Sequence, residues 1–175
     1  MPESNLHYPI GKFIPQPSYT PAEIAEHITS IQQLPDKIQA CLQNFTAPLF
    51  DTPYRPGGWT GRQVVHHLAD SHMNAYIRCK WMLTENTPLI KAYNEKAWAE
   101  TPETKSDPVL SVALLKALHA KWVFLLRELT ADDLQKSFLH PETNKHVPLN
   151  RLIALYAWHG EHHLAHLELV LNSKF

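Results

Sequence analysis

Four histidines, His159, His162, His163 and His166, fall within eight residues near the C-terminus, in a stretch otherwise apolar enough to be a buried helix. Neutral imidazole is the commonest side-chain ligand for a transition metal. On a helix, residues four apart project from one face. His159/His163 and His162/His166 therefore each have the spacing of a two-histidine metal clip. At about 100° per residue, Leu152, Tyr156, His159, His163, Leu167 and Val170 share one quadrant, with His166 between the first two histidines and His162 at the edge. Centring favours His159/His163 and leaves the other pair open. Burying neutral imidazoles without partners costs on the order of 1–3 kcal/mol each. A metal ion bonded to several of them offsets that cost.

A second group, His66, His67 and His72, lies far upstream. His67 shares a helical face with Val64, Leu68 and Ser71 and is expected to point inward. His66 sits about 100° away, and His72 near the opposite side of the helix, where it reads as a surface residue. Three imidazoles on a tetrahedral ion leave a fourth position for water or substrate, the arrangement of a catalytic site. Such an ion acidifies a bound water and polarises an oxygen or sulfur substrate. An all-nitrogen donor set suits zinc, with nickel, iron or cobalt next. The plainer reading makes these core histidines bonded to Tyr, Ser or backbone groups. It is the stronger one for a lone histidine, whereas two histidine-rich helices favour a metal.

Other chemistries find less support. Glu161 follows His159 by two residues, about 200° around the helix, so it faces solvent and is no zincin-type base. With five glycines in the chain there is no Gly-x-Ser-x-Gly elbow and no phosphate-binding loop. No residue stands out as a general base, although Asp70, His66 and Asn74 are near His67. Arg78, three turns beyond His67, could meet an anionic group or pair with a carboxylate.

The elements that must position these residues are helices. Residues 1–19 carry Pro2, Pro9, Pro15 and Pro17 and read as an extended arm, with Tyr8, Ile10 and Phe13 lying over the body. Thr20-Pro21-Ala22-Glu23 is a capping box opening a first helix with stripe Ile24, Ile28, Ile31, Ile38 and Leu42, which Pro35 should kink or split. Thr60-Gly61-Arg62-Gln63 is a second capping box, for a helix reaching about Glu85. Residues 86–106 form a long connection with a short helix between Tyr93 and Trp98. Asp107-Pro108 starts a third helix with apolar positions Leu110, Leu114, Leu118, Trp122, Leu125 and Leu129. A connection from Thr130 to Val147 holds one helical turn, and Pro148 opens a fourth helix reaching about Asn172. Four amphipathic segments without an alternating strand predict an all-α four-helix bundle, its long connections allowing a crossover topology.

The 175 residues fit a single domain, 1–175, with 44% hydrophobic and 19% charged residues. Sixteen Lys+Arg against seventeen Asp+Glu, without a basic block, argue against a nucleic-acid partner. No run reads as a membrane span, and the N-terminus lacks the pattern of a signal peptide. Cys41 and Cys79 have no CxxC spacing and read as reduced thiols in a cytoplasm.

Tyr8-Pro9-Ile10-Gly11-Lys12-Phe13, Arg55-Pro56-Gly57-Gly58-Trp59-Thr60, the Gln63–His72 stretch and Tyr156–His166 occur in this order. Together they resemble the YfiT-like metal-dependent hydrolases of the DinB superfamily, over nearly the whole chain. The resemblance implies a four-helix bundle, a cytoplasmic homodimer and one divalent metal per subunit, usually zinc. It matches the metal ligands to His67, His159 and His163, and so chooses between the two histidine pairs. It implies a hydrolase acting on a small-molecule substrate. Related bundles are thiol S-transferases using a low-molecular-weight thiol such as bacillithiol or mycothiol, the alternative activity. A non-catalytic, metal-stabilised binding module is the third reading.

Overall fold

The computed structural model describes residues 6–172. Six α-helices lie wholly among the described residues, in chain order: α1 Pro21–Leu42, α2 Ala47–Phe50, α3 Gly61–Thr84, α4 Glu95–Trp98, α5 Val109–Arg127 and α6 Leu149–Asn172. The long four, α1, α3, α5 and α6, form the bundle.

Both capping boxes are made. The Thr20 hydroxyl accepts from the Glu23 N–H at 3.3 Å while the Glu23 carboxylate takes the Thr20 N–H at 2.7 Å. Thr60 and Gln63 exchange the equivalent bonds at 3.2 and 3.0 Å. Each box ties down N–H groups that the first turn cannot pair internally, which is why these helix starts are legible in sequence. The buried face of α1 is Ile24, Ile28, Ile31, Leu34, Pro35 and Ile38.

Of the two expected outcomes, a kink or a split, Pro35 does not cause the split: α1 continues through it. Proline lacks the N–H that would reach the carbonyl four residues back, and its ring pushes that carbonyl aside. The Ile31 carbonyl is not left unpaired, because the His119 Nδ1 of α5 lies 2.6 Å from it.

Around the bundle, α1 packs on α5 and α6, and α3 packs on the same two. The sequential helices α1 and α3 thus occupy one diagonal, and α5 and α6 the other. This is a crossover arrangement rather than a meander of neighbours. The 130–147 connection holds, besides a 3-10 turn at Asp133–Gln135, a hairpin pairing Ser137–His140 with Lys145–Pro148. Four-residue strands are too short to display alternation, which explains the expectation of no strand.

Helix α5 differs most from its sequence reading. Its buried positions are Ser111, Val112, Leu115, His119, Trp122, Val123 and Leu126, whereas Leu110 and Leu114 are 61% and 43% exposed. The inward arc includes Ser111 and His119 among its apolar residues while leucines also lie outward, so hydrophobicity does not report its orientation. Over Val109–Arg127 the mean hydropathy reaches 1.7, long and apolar enough for a membrane span by composition, although the helix packs in the bundle.

The core is in two sections. One gathers Ile24, Ile28, Ile31, Trp122, Ile153 and Tyr156; the other gathers Leu34, Ile38, Val65, Leu68, Leu115 and Leu167. Between them, at the level of Ser71 on α3, His119 on α5 and His159–His163 on α6, lies a layer of polar side chains. Gly160 sits in this layer, where a Cβ would run into the Leu34 side chain, so its absence lets α6 approach Leu34 of α1 closely.

Candidate metal centre

His67 from α3 meets His159 and His163 from α6, and one ring nitrogen from each lies within 4.8 Å of the others. The nearest pair is His67 Nε2 and His159 Nε2, 3.3 Å apart. Two nitrogens bound at about 2.0–2.1 Å to one tetrahedral ion stand about 3.3–3.4 Å from each other. An N–H···N hydrogen bond can span the same distance, so it is the convergence of a third imidazole, His163, on the same point that singles out a shared ion. The donor set also fits, since all three are imidazoles with no carboxylate among them.

Burial keeps these rings neutral. His67 is driven down to about 4 by burial and then by nearby His162. His159 and His163 fall well below the ordinary histidine range, again through burial first and the neighbouring imidazoles second. A neutral ring with a free lone pair is the form that binds a metal.

The turn before α3 supports the site from one side. Gly57 takes φ +66°, a left-handed conformation that a side chain disfavours, and the Gly58 N–H bonds the Arg55 carbonyl at 2.9 Å. That turn lays Trp59 against His67, ring centres 4.5 Å apart, and stacks Tyr54 on His166 at 3.8 Å. His166 Nδ1 in turn faces His163 Nδ1 at 3.3 Å. Packed rings of this kind hold imidazoles in one rotamer.

The three histidines open onto a cleft of about 610 Å³ that His7, Arg55, Trp59, Glu95, Lys96 and Glu100 also line. His159 keeps part of its surface open, whereas His67 and His163 are buried. Arg55 Nε is buried with no protein partner among the described residues. From the arm, Tyr8 reaches His162 and Phe13 reaches Trp158, at ring distances of 5.8 and 5.9 Å. The arm thus lies over α6 as expected, although Ile10 is 46% exposed.

Several sequence expectations need correction. His72 is not on the surface: it is 0% exposed, between α3 and α5. His66 bonds Ser111 Oγ at 2.8 Å and the Ser106 carbonyl at 3.3 Å, away from the cleft. Asp70 does not line the cleft either; burial and then Glu103 raise its carboxyl to about 6. Arg78 donates to the Lys91 carbonyl at 3.3 Å. Glu161, expected to face solvent, instead faces α1, bonding Lys37 at 2.7 Å and Ser30 at 3.1 Å. His119, to which the sequence assigns no role, is buried in the polar layer. His162, His163 and His166, all on α6, form a second group with nitrogens within 4.8 Å. This group draws on one helix and shares His163 with the first.

Known proteins resemble this chain over nearly its whole length. The family model described as the DinB superfamily matches residues 30–167. YfiT of Bacillus subtilis, which carries the name of a metal-dependent hydrolase, is 47% identical over 168 residues, covering 95% of this chain and 94% of its own. A Bacillus cereus (strain 03BB102) protein bearing the same description is 48% identical over 164 residues, 94% of each chain. A solved structure of YfiT, described as a probable metal-dependent hydrolase with an unusual four-helix bundle topology, superimposes with a TM-score of 0.93 at 47% identity, covering 95% of both chains.

Proposed function

We propose, on the premise that the chain belongs to the DinB superfamily, that it is a hydrolase using one divalent metal ion held by His67, His159 and His163. One observation carries this reading. Three neutral imidazoles from two helices converge beside an open cleft, the nearest pair at the spacing of ligands on one ion. Zinc suits three nitrogen donors best, with nickel next. Such an ion supplies Lewis-acid polarisation and makes water a competent nucleophile near neutral pH.

The protein's own groups shape what can bind. Arg55, Lys96, Glu95 and Glu100 bring charges of both signs to the cleft wall. A small polar substrate with a hydrogen-bond acceptor toward Arg55 fits that wall. Trp59 and His166 steady two of the three imidazoles, so geometry is preset before substrate arrives. An ion with a purely structural task would be enclosed, whereas this trio borders the cleft.

The zinc-loaded protein is expected to hydrolyse members of an ester and amide panel without any added thiol. Monochlorobimane, offered with and without bacillithiol or another small thiol, tests the competing chemistry. Thiol-dependent conjugation with no hydrolysis across the panel would overturn water activation in favour of S-transfer.

A second copy of the chain is the proposed partner. The outer face of α5 exposes Val109, Leu110, Leu114 and Phe124, the last at 73%. Apolar residues gathered on one helix face mark an association surface. Light scattering should give twice the mass of the 20.1 kDa chain, and Phe124→Lys should give a monomer. A monomeric parent would refute the pairing. The compartment proposed is the cytoplasm, in keeping with two unpaired cysteines, one of them buried.

A further inference from the structure

A row of buried imidazoles leads from α1 to the metal centre. His119 Nδ1 lies 2.6 Å from the Ile31 carbonyl, and its Nε2 lies 3.0 Å from His72 Nδ1. His72 Nε2 then lies 3.3 Å from His159 Nδ1. His119 and His72 are 1% and 0% exposed, so water does not substitute for these partners. Both rings are shut away from water, and burial holds each below the ordinary histidine range, so each carries one N–H.

Bond directions follow from the end of the row. A carbonyl only accepts, so His119 must donate from Nδ1, leaving Nε2 bare. That lone pair, 3.0 Å from His72 Nδ1, requires the His72 proton on Nδ1; the opposite choice would set two lone pairs against each other in a dry interior. The same step repeats between His72 Nε2 and His159 Nδ1. His159 is left with an unprotonated Nε2, the atom 3.3 Å from His67 Nε2. Ser71 Oγ, at 3.5 Å from this nitrogen, is too distant to claim it.

We infer that His72 and His119 are positioning residues: with the Ile31 carbonyl exposed by Pro35, they fix His159 as the Nδ1–H tautomer, its Nε2 directed at the metal. The inference rests on the metal reading above for its purpose, but not for its geometry. Metal-ligating histidines commonly donate their second N–H to a carbonyl or carboxylate. Here two further imidazoles carry that link across the bundle to a carbonyl four residues before a proline. The internal proline thus acquires a role, because an ordinary residue at 35 would draw the Ile31 carbonyl back into the helix.

The tautomers can be read in metal-free protein carrying ¹⁵N-labelled histidine. Protonated Nδ1 and bare Nε2 on His119, His72 and His159 are expected; an Nε2–H form of His72 or His159 overturns the inference. Zinc affinity, measured by competition with a chelating dye, gives the second readout. His119→Leu should weaken it about 10–100-fold, while His119→Gln, whose amide both donates and accepts, should restore most of it. Unchanged affinity in a folded His119→Leu protein would defeat the proposal. Should that variant not fold, Pro35→Ala serves: melting temperature should rise while zinc affinity falls, and the two rising together counts against it. If the parent binds no zinc, the metal reading falls, and the tautomers still decide this one.

Discussion

His159→Ala is expected to leave purification without metal while keeping its fold. The substitution removes one of three imidazoles and leaves His67 and His163, too few donors to hold an ion against water and buffer. The loss should exceed the ~100-fold that removing a supporting partner of a ligand costs. Folding should survive for three reasons. His159 is partly exposed to the cleft, so truncation opens onto solvent rather than creating a closed void. Alanine is the best helix former, and α6 spans 24 residues held by both α1 and α3. Elemental analysis gives metal per chain, and circular dichroism checks the fold. His162→Ala is the matching control and should retain its metal, because His162 belongs only to the single-helix group. A fully loaded His159→Ala protein beside an empty His162→Ala protein would transfer the site to that group.

Acid should unfold the metal-free protein at unusually mild pH. Burial, ahead of neighbouring charges, holds His67, His119 and His162 down to about 4 and His166 to about 3. In the unfolded chain each returns to about 6.5. Between those values the unfolded state binds the extra proton, so stability is full above about pH 6.5 and falls as pH drops toward the folded values. Each histidine contributes about 1.4 kcal/mol per pH unit, or roughly 2 kcal/mol by pH 5. Because His67 and His166 both feel His162 the contributions do not simply add, but even two of this size are a large part of the ~5–15 kcal/mol that a domain has in total. Asp70 opposes this, since its folded value of about 6 favours the native state as pH falls. It is a single half-exposed carboxyl, screened by solvent, so it offsets only a small part of the loss. The melting temperature of metal-free protein should therefore drop steeply between pH 7 and 5, and a flat profile would show that these histidines are not buried neutral. Bound metal should restore part of the loss, because it binds only the folded state.

The residues themselves explain why these imidazoles come together. His67 and the His159/His163 pair lie on helices whose starts are fixed by local chemistry, so their faces can be drawn before any neighbour is placed. Thr60 with Gln63 sets the phase of α3, and Pro148 sets that of α6. Because α6 is apolar on one side, its inward histidines stand out as interruptions of a stripe. The second pair, His162/His166, is buried as well, and the wheel alone could not dismiss it.

What the sequence determined by itself was local: helix starts, the arc of α1 and α6, the inward turn of His67, and neutral imidazoles as the chemistry. Tertiary structure decided everything that depends on a second neighbour. A helix in this bundle touches two others, so α3 buries a wide arc, with His67 toward α6 and His72 toward α5. A single-stripe reading puts His72 in solvent for that reason. Helix α5 mixes apolar and polar residues on both sides, with Leu110, Leu114 and Phe124 outward and Ser111 and His119 within, so only packing could set its rotation and bring His119 to the Ile31 carbonyl. Pro35 reads as a helix breaker when taken alone. In the folded protein it is the residue that frees a carbonyl for the histidine row, because the missing hydrogen bond is made by another helix.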